Sequence, residues 1–348
     1  MNKNLFIFNF KSNCLITLKQ LLFKILFLFC LICVFQAILN LALPSYWGND
    51  IIYEKIKQQQ EFNDDVNTLF IGTSRIYYHI DPLLFDKVTL CNSISYNIGS
   101  QGIAGLESYR IVDEIIHNAE NSDIKTIFIE VPGFNLPSSK NSKSVRATYF
   151  INAIQSYRAL RFKIDTKASW LSLMSTSIKA CKTTLSNALG LQTFRTKCSI
   201  LKEVLTKKSR LVRDSKRGFY GQERTVKKNS VVKSRSRIAN KFYNSLSKSA
   251  PEEIEFLTKM INDQVRRAKE NGINIVYVLM PKMSLKQYQD VYQSFSQLDI
   301  QNKINLSNPK EYPQYYNRKL SSDKVHLNTK GAKSMTKEFA LHYNQFCS

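Results

Sequence analysis

Leu69-Phe70-Ile71-Gly72-Thr73-Ser74-Arg75 is an apolar run that breaks at a glycine and delivers a serine. A short apolar run ended by a turn residue reads as a buried strand opening into a loop. From Val66 to Ile71 the run is rich in β-formers. Ser95 to Ile98, Thr126 to Val131 and Ile273 to Met280 repeat the pattern and stop at Gly99, Pro132 and Pro281. Helical spacing appears between them, at Leu106, Tyr109, Val112, Ile115 and Ile116. Ser249-Ala250-Pro251-Glu252 is a capping box with an early proline, predicting a helix that runs to Asn271 and stops at Gly272. A helix over Leu285 to Leu298, a short apolar piece at Ile304 to Leu306 and a helix from Thr329 complete the pattern. Strands alternating with helices predict an α/β fold with a mostly parallel sheet covered on both faces. Chemistry in such sheets lies beyond the C-terminal strand ends, where Ser74, Gly99, Gly102, Gly133 and Asn135 all fall.

Almost a whole chain away stands Asp323-Lys324-Val325-His326-Leu327-Asn328. A serine hydroxyl is a poor nucleophile at neutral pH unless a base takes its proton, and that base works best when a third group orients it. Ser74, His326 and Asp323 supply those three chemistries. Taken singly, Ser74 also suits a helix cap, Asp323 a turn cap and His326 a half-buried surface position. His79 and Arg75, close to Ser74 in sequence, read as structural.

Ile25 to Leu43 is a 19-residue stretch without a charge, near the minimum that crosses a hydrocarbon core of about 30 Å. Lys3, Lys11, Lys19 and Lys24 precede it, and the next basic residue is Lys55. By the positive-inside rule the N-terminus stays in the cytoplasm and the remainder is exported, a single-pass topology at the cytoplasmic (inner) membrane. Tyr46 and Trp47 occupy the place of an interfacial anchor. A cleaved signal peptide would have a shorter apolar core and a small-x-small site, so an uncleaved anchor is the expectation.

The net charge of +23 is concentrated in one place. From Lys140 to Ala250 there are 26 basic and four acidic residues, which leaves the rest of the 348-residue chain close to neutral. This basic segment interrupts the strand–helix alternation as an insertion. It shows helix signals over Ser169 to Leu189 and turns polar from Lys207 to Arg237. It reads either as a solvated, partly disordered excursion or as a flap that gathers an anionic polymer or headgroups. No nucleic-acid motif accompanies the charge, so nucleic acid is not the expected partner. The seven cysteines form no metal pattern, and no metal or cofactor is expected. Cys91, Cys181, Cys198 and Cys347 in the exported part allow one disulfide whose pairing spacing does not give. The expected organisation is thus 1–48 anchor, 49–139 first part of the α/β domain, 140–249 basic insertion and 250–348 second part.

Together these segments resemble the SGNH, or GDSL-like, hydrolase superfamily over residues 65–136 and 250–346. Gly72-Thr73-Ser74-Arg75 is similar to its first block, with Thr73 where an aspartate is usual. Tyr96-Asn97-Ile98-Gly99-Ser100-Gln101-Gly102 is similar to the second, and Asp323-Lys324-Val325-His326 to the last. Gly133-Phe134-Asn135 stands for the third block without its second acidic residue. The resemblance implies a flavodoxin-like three-layer sandwich, with Ser74 as nucleophile, His326 as base, Asp323 as its orienter, and Gly102 and Asn135 lining an oxyanion hole. The longer string from Ile71 to Pro82 resembles a membrane-anchored bacterial branch whose members act with membrane-bound O-acyltransferases on envelope polymers. That resemblance implies an extracytoplasmic esterase or O-acyltransferase acting on an acylated cell-envelope or secreted polysaccharide. The alternative is a non-catalytic partner protein that keeps the fold and binds an anionic polymer or membrane surface through its basic insertion.

Overall fold

All four expected strands form, and the apolar piece at Ile304 becomes the core of a fifth. The computed structural model describes residues 5–44, 46–61, 66–103, 105–118, 122–131, 145–190, 193–206, 216–246, 255–281 and 285–346. The strands are β1 (Thr68–Ile71), β2 (Ser95–Asn97), β3 (Thr126–Glu130), β4 (Asn274–Leu279) and β5 (Lys303–Asn305). The first half holds helices α1 (Leu5–Leu41), α2 (Asp50–Glu61), α3 (Ser74–His79), α4 (Pro82–Val88) and α5 (Gly105–His117). Between β3 and β4 lie α6 (Val145–Phe150), α7 (Ala153–Asp165), α8 (Trp170–Ala188), α9 (Phe194–Thr206), α10 (Asn229–Leu246) and α11 (Glu255–Glu270). α12 (Leu285–Ser296) and α13 (Thr329–Asn344) complete the chain. The capping box expected to open α11 lies outside the described residues.

The sheet order is β2-β1-β3-β4-β5 and every pair is parallel. β1 and β3 are buried along their whole length, which is why they read as unbroken apolar runs. Their side chains still divide between two cores, since successive residues point to opposite faces. Leu69, Ile71, Ile127, Ile129, Ile275 and Tyr277 pack with Tyr109 of α5 and Leu257 of α11. Phe70, Phe128, Val276 and Val278 pack with Phe85 of α4 and Phe339 of α13. Phe70 stacks on Phe128, its partner in register, with ring centroids 5.1 Å apart. Having paired β2 on one side of β1, the chain places β3 on the other, so the loops leaving β1 and β3 diverge. Ligand sites in such sheets lie at this switch point, and Ser74 and the buried Glu130 stand at the adjoining ends of β1 and β3.

Part of the basic insertion is built into this domain. Lys216 to Lys228 forms a strap that begins with a turn closed by the Phe219 N–H donating to the Lys216 carbonyl, at 3.1 Å. Both central residues have positive φ, 47° at Arg217 and 82° at Gly218, the geometry of a type I′ turn. The Asn97 N–H, at the end of edge strand β2, donates to the Arg217 carbonyl at 2.9 Å, so the turn covers an edge that would otherwise be open. The buried Lys55 ammonium of α2 donates to the carbonyls of Asn97, Gly99 and Gly218 at 2.7–2.8 Å and lies 4.2 Å from the Tyr77 ring centroid. A side chain at 218 would meet the Asn97 carbonyl oxygen at 2.1 Å. Gly218→Ala therefore combines left-handed strain of about 1–2 kcal/mol with a backbone clash. It is expected to release the strap, seen as faster tryptic cleavage at Arg217 and Arg224 than in the parent protein.

α10 is tied in as well, and the polar reading of Lys207 to Arg237 gives way here to packing. Arg235 is buried, donating to the Tyr315 carbonyl and to Ser321 Oγ. Phe242 stacks on Tyr288 at 4.7 Å. At the N-terminus, Leu18–Leu41 is one helix segment long and apolar enough to cross a membrane, 24 residues with mean hydropathy 2.6. The expectation that Tyr46 and Trp47 face an interface is corrected. Both are buried in protein, with Trp47 packed on Tyr149 and beneath the Lys197 ammonium.

Candidate functional site

Folding brings Ser74 and His326 together across 252 residues of sequence: Ser74 Oγ lies 2.8 Å from His326 Nε2. His326 Nδ1 lies 2.9 Å from Asp323 Oδ2. The three side chains form a linear relay with the imidazole in the middle, reached from two elements. Ser74 opens α3 directly beyond β1. His326 and Asp323 share a loop closed by the antiparallel bridge between Ser321 and Leu327.

The loop is rigid for a local reason. The other Asp323 oxygen, Oδ1, accepts the Val325 and His326 N–H groups at 2.7 and 2.8 Å, a carboxylate turning its own backbone. Burial works to raise the Asp323 pKa, but the hydrogen bond with His326 and the two backbone donors outweigh it and hold the carboxyl well below its usual range. An ionised Asp323 accepts Nδ1–H, which leaves Nε2 as the acceptor facing the Ser74 hydroxyl. Tyr78 packs edge-on to the His326 ring at 5.0 Å.

Ser74 is positioned by its neighbours through Glu130, the last residue of β3. Glu130 Oε1 pairs with Arg75 Nε at 2.7 Å, the carboxylate side chain being 1% exposed. Oε2 accepts the Thr73 N–H at 3.1 Å and the Thr73 hydroxyl at 2.5 Å. Thr73 Oγ1 in turn caps α3 by accepting the Arg75 N–H. Both residues flanking the serine are thus clamped to one buried carboxylate. Gly72 permits the approach, because a side chain there would meet Glu130 Cβ at 2.8 Å.

His79, expected to be structural, is fully buried at the end of α3 and lies edge-on to His326 at 5.9 Å. Its Nε2 accepts the Leu327 N–H at 2.9 Å, and its Nδ1 has no partner among the described residues. Burial first, then the nearby charges of His326, Arg235 and Arg75, push its pKa well below the ordinary value. Such a group stays neutral in the folded chain but takes up a proton when unfolded. Its contribution is therefore full above about pH 6.5 and is lost as pH falls toward the folded pKa. Moving from pH 7.5 to 5.5 is expected to lower stability through this group. A His79→Gln variant compared by denaturant unfolding in detergent at both pH values should lack that increment.

Other expected site residues fare differently. Gly102 sits in an exposed turn with φ 65°, its carbonyl accepting from Arg146. No hydrogen bond among the described residues joins it to Ser74 or His326. Asn135, like Gly133, lies outside the described residues. Asn97 is a buried brace, with Nδ2 donating to the Ile76 and Ile80 carbonyls and Oδ1 accepting the Gly99 N–H.

The sequence reading missed Glu130 and the strap. An ionisable residue closing the run Thr126-Ile127-Phe128-Ile129-Glu130 was the available signal, since a charge inside a buried strand needs a partner. The strap touches the site from outside: Arg224 lies 3.4 Å from Asp323 Oδ2, the Thr329 N–H donates to the Gln222 carbonyl, and Tyr220 stacks on Tyr77 at 5.7 Å. Arg224 is largely exposed, so that ion pair adds little.

No protein-family model and no curated protein sequence matches the chain.

Proposed function

We propose that the chain is a membrane-anchored, extracytoplasmic SGNH-like serine esterase or O-acyltransferase acting on acyl esters of a cell-envelope or secreted polysaccharide. The observation that carries this reading is the relay from Ser74 Oγ to His326 Nε2 and from Nδ1 to Asp323. The strand order 2-1-3-4-5 and the two cores on opposite sheet faces favour a flavodoxin-like three-layer sandwich. An apolar N-terminal helix and a disulfide-bonded Cys91 favour an anchored domain in an oxidising compartment.

In the proposed reaction, Ser74 Oγ attacks the ester carbonyl as its proton passes to His326 Nε2. Asp323 stabilises the imidazolium, which then protonates the departing alkoxide and leaves an acyl-serine. An incoming water or sugar hydroxyl gives its proton to Nε2, attacks the acyl carbon and releases Ser74 with the proton returned. Water as acceptor gives hydrolysis; a sugar hydroxyl gives transfer. The Ser74 N–H, with Gly102 and Asn135 as the family resemblance implies, would face the oxyanion, each donor contributing on the order of 3 kcal/mol.

The test is trapping. The full chain in detergent, incubated with p-nitrophenyl acetate and acid-quenched, should carry an acetyl adduct on Ser74 by peptide mass spectrometry. A chain that releases p-nitrophenol no faster than its Ser74→Ala variant, with no adduct, would leave the non-catalytic partner reading standing instead.

A further inference from the structure

α8 is built inside out. Along it, Trp170, Leu171, Met174, Ile178, Cys181 and Leu185 fall within an arc of about 100° at 3.6 residues per turn. Every one of them is exposed, Trp170 at 71%, Leu171 at 78% and Ile178 at 65%. The face turned inward holds Ala180, Thr183 and Ser186 instead, and Ser156 of α7 meets Thr184 at 3.2 Å. A helix in water buries the large apolar residues and exposes the polar ones. Neighbouring helices leave Ile154, Tyr157 and Ile164 of α7 and Phe194 and Leu205 of α9 exposed too.

What covers this face is indicated by where α8 ends. Gly190 lies against the side chain of Gln36, which a Cβ at position 190 would meet at 2.4 Å. Lys197 of α9 donates to Gln36 Oε1 at 2.7 Å, and Phe194 packs on Phe35 at 6.4 Å. Leu39, Leu43 and Trp47 form a cluster with Val145 and Tyr149 of α6 and Ile200 and Leu201 of α9. Gln36 is five residues inside the end of the apolar segment Leu18–Leu41, about 7.5 Å along the axis at 1.5 Å per residue. α8 therefore terminates against α1 at the depth of the acyl-chain boundary. Lys182 on α8, beside the apolar stripe, and Arg195 and Lys202 on α9 are exposed cations of the kind that pairs with lipid phosphates at an interface.

We infer that the apolar stripe of α8 lies in the outer leaflet of the membrane that α1 crosses, so the insertion is a second membrane seat. The inference rests on reading α1 as a span, and the two are tested separately. Trp47 and Trp170 are the two tryptophans, so a Trp47→Phe full chain reports on Trp170 alone. It would be reconstituted in vesicles of brominated phosphatidylcholine with a minority of phosphatidylglycerol. For a helix seated about 5–10 Å deep, roughly half or more of the Trp170 emission should be quenched, with shallow bromines acting more strongly than those at chain ends. Adding Leu171→Glu and Ile178→Glu, both at exposed positions, should restore emission at least about twofold.

Resistance to carbonate extraction reports on α1 independently. A chain that resists extraction while Trp170 remains unquenched would overturn the seat and spare the span; a face reserved for another protein gives this same result. Quenching of Trp170 in a chain that carbonate extracts would keep the seat and remove the span.

Discussion

Ser74→Ala is expected to lower kcat for p-nitrophenyl acetate by about four to six orders of magnitude, the range seen when a member of a working triad is removed. The Ser74 hydroxyl bonds His326 and no other group among the described residues, so unfolding should shift by no more than about 0.5–1.5 kcal/mol. His326→Ala should lose as much, because a hydroxyl without its base is as inert as a base without its hydroxyl. Asp323→Asn should cost about 10⁴, since the amide no longer fixes the tautomer that points a lone pair of Nε2 at Ser74. The diagnostic result is the double variant. Ser74→Ala with His326→Ala should be no worse than either single change. Losses that multiply would mean the two side chains act apart, and the relay would have to be abandoned.

Glu130→Ala should produce the largest loss of stability of any single substitution outside the cores, about 3–5 kcal/mol. The change leaves the Arg75 guanidinium buried at 10% side-chain exposure without its carboxylate. It also removes the acceptor of the Thr73 hydroxyl and N–H. Activity should fall beyond what the stability loss explains, because Thr73 and Arg75 hold the backbone on either side of Ser74, the proposed nucleophile. Replacing both charged partners, Glu130→Leu with Arg75→Met, should recover most of the folding free energy, since a well-packed apolar pair avoids the desolvation cost of two ions. Turnover should stay low in that pair. Differential scanning calorimetry beside ester kinetics separates the two effects, and a double variant with normal turnover would reduce Glu130 to a stabilising residue only.

The parallel sheet was legible because β1, β3 and β4 lie in apolar runs that stop at glycine or proline. Ser74 and the Asp323–His326 loop were legible only as a set, because each alone also suits a cap or a surface position. Glu130 was hidden by ending a strand in the way any surface turn does; its meaning depends on Arg75, which no local pattern links to it. The strap was illegible for a different reason. Its order comes from backbone carbonyls held by Lys55 and by the Asn97 N–H, contacts that a polar, basic stretch does not advertise. Trp47 was misplaced because an aromatic residue after an apolar helix suits a lipid interface or a protein cluster equally well, and α9, which decides between them, lies far along the chain. α8 was seen as a helix, but periodicity alone does not say which of its faces turns inward.

The separation of 252 residues between Ser74 and His326 also bears on when the proposed site can assemble. Contacts so distant in sequence close late, after most of the chain has been synthesised and has collapsed. A nascent polypeptide still threading across a bilayer would carry its hydroxyl unarmed. Under the proposed function, reactivity would begin only once the Asp323–His326 loop has docked on Ser74.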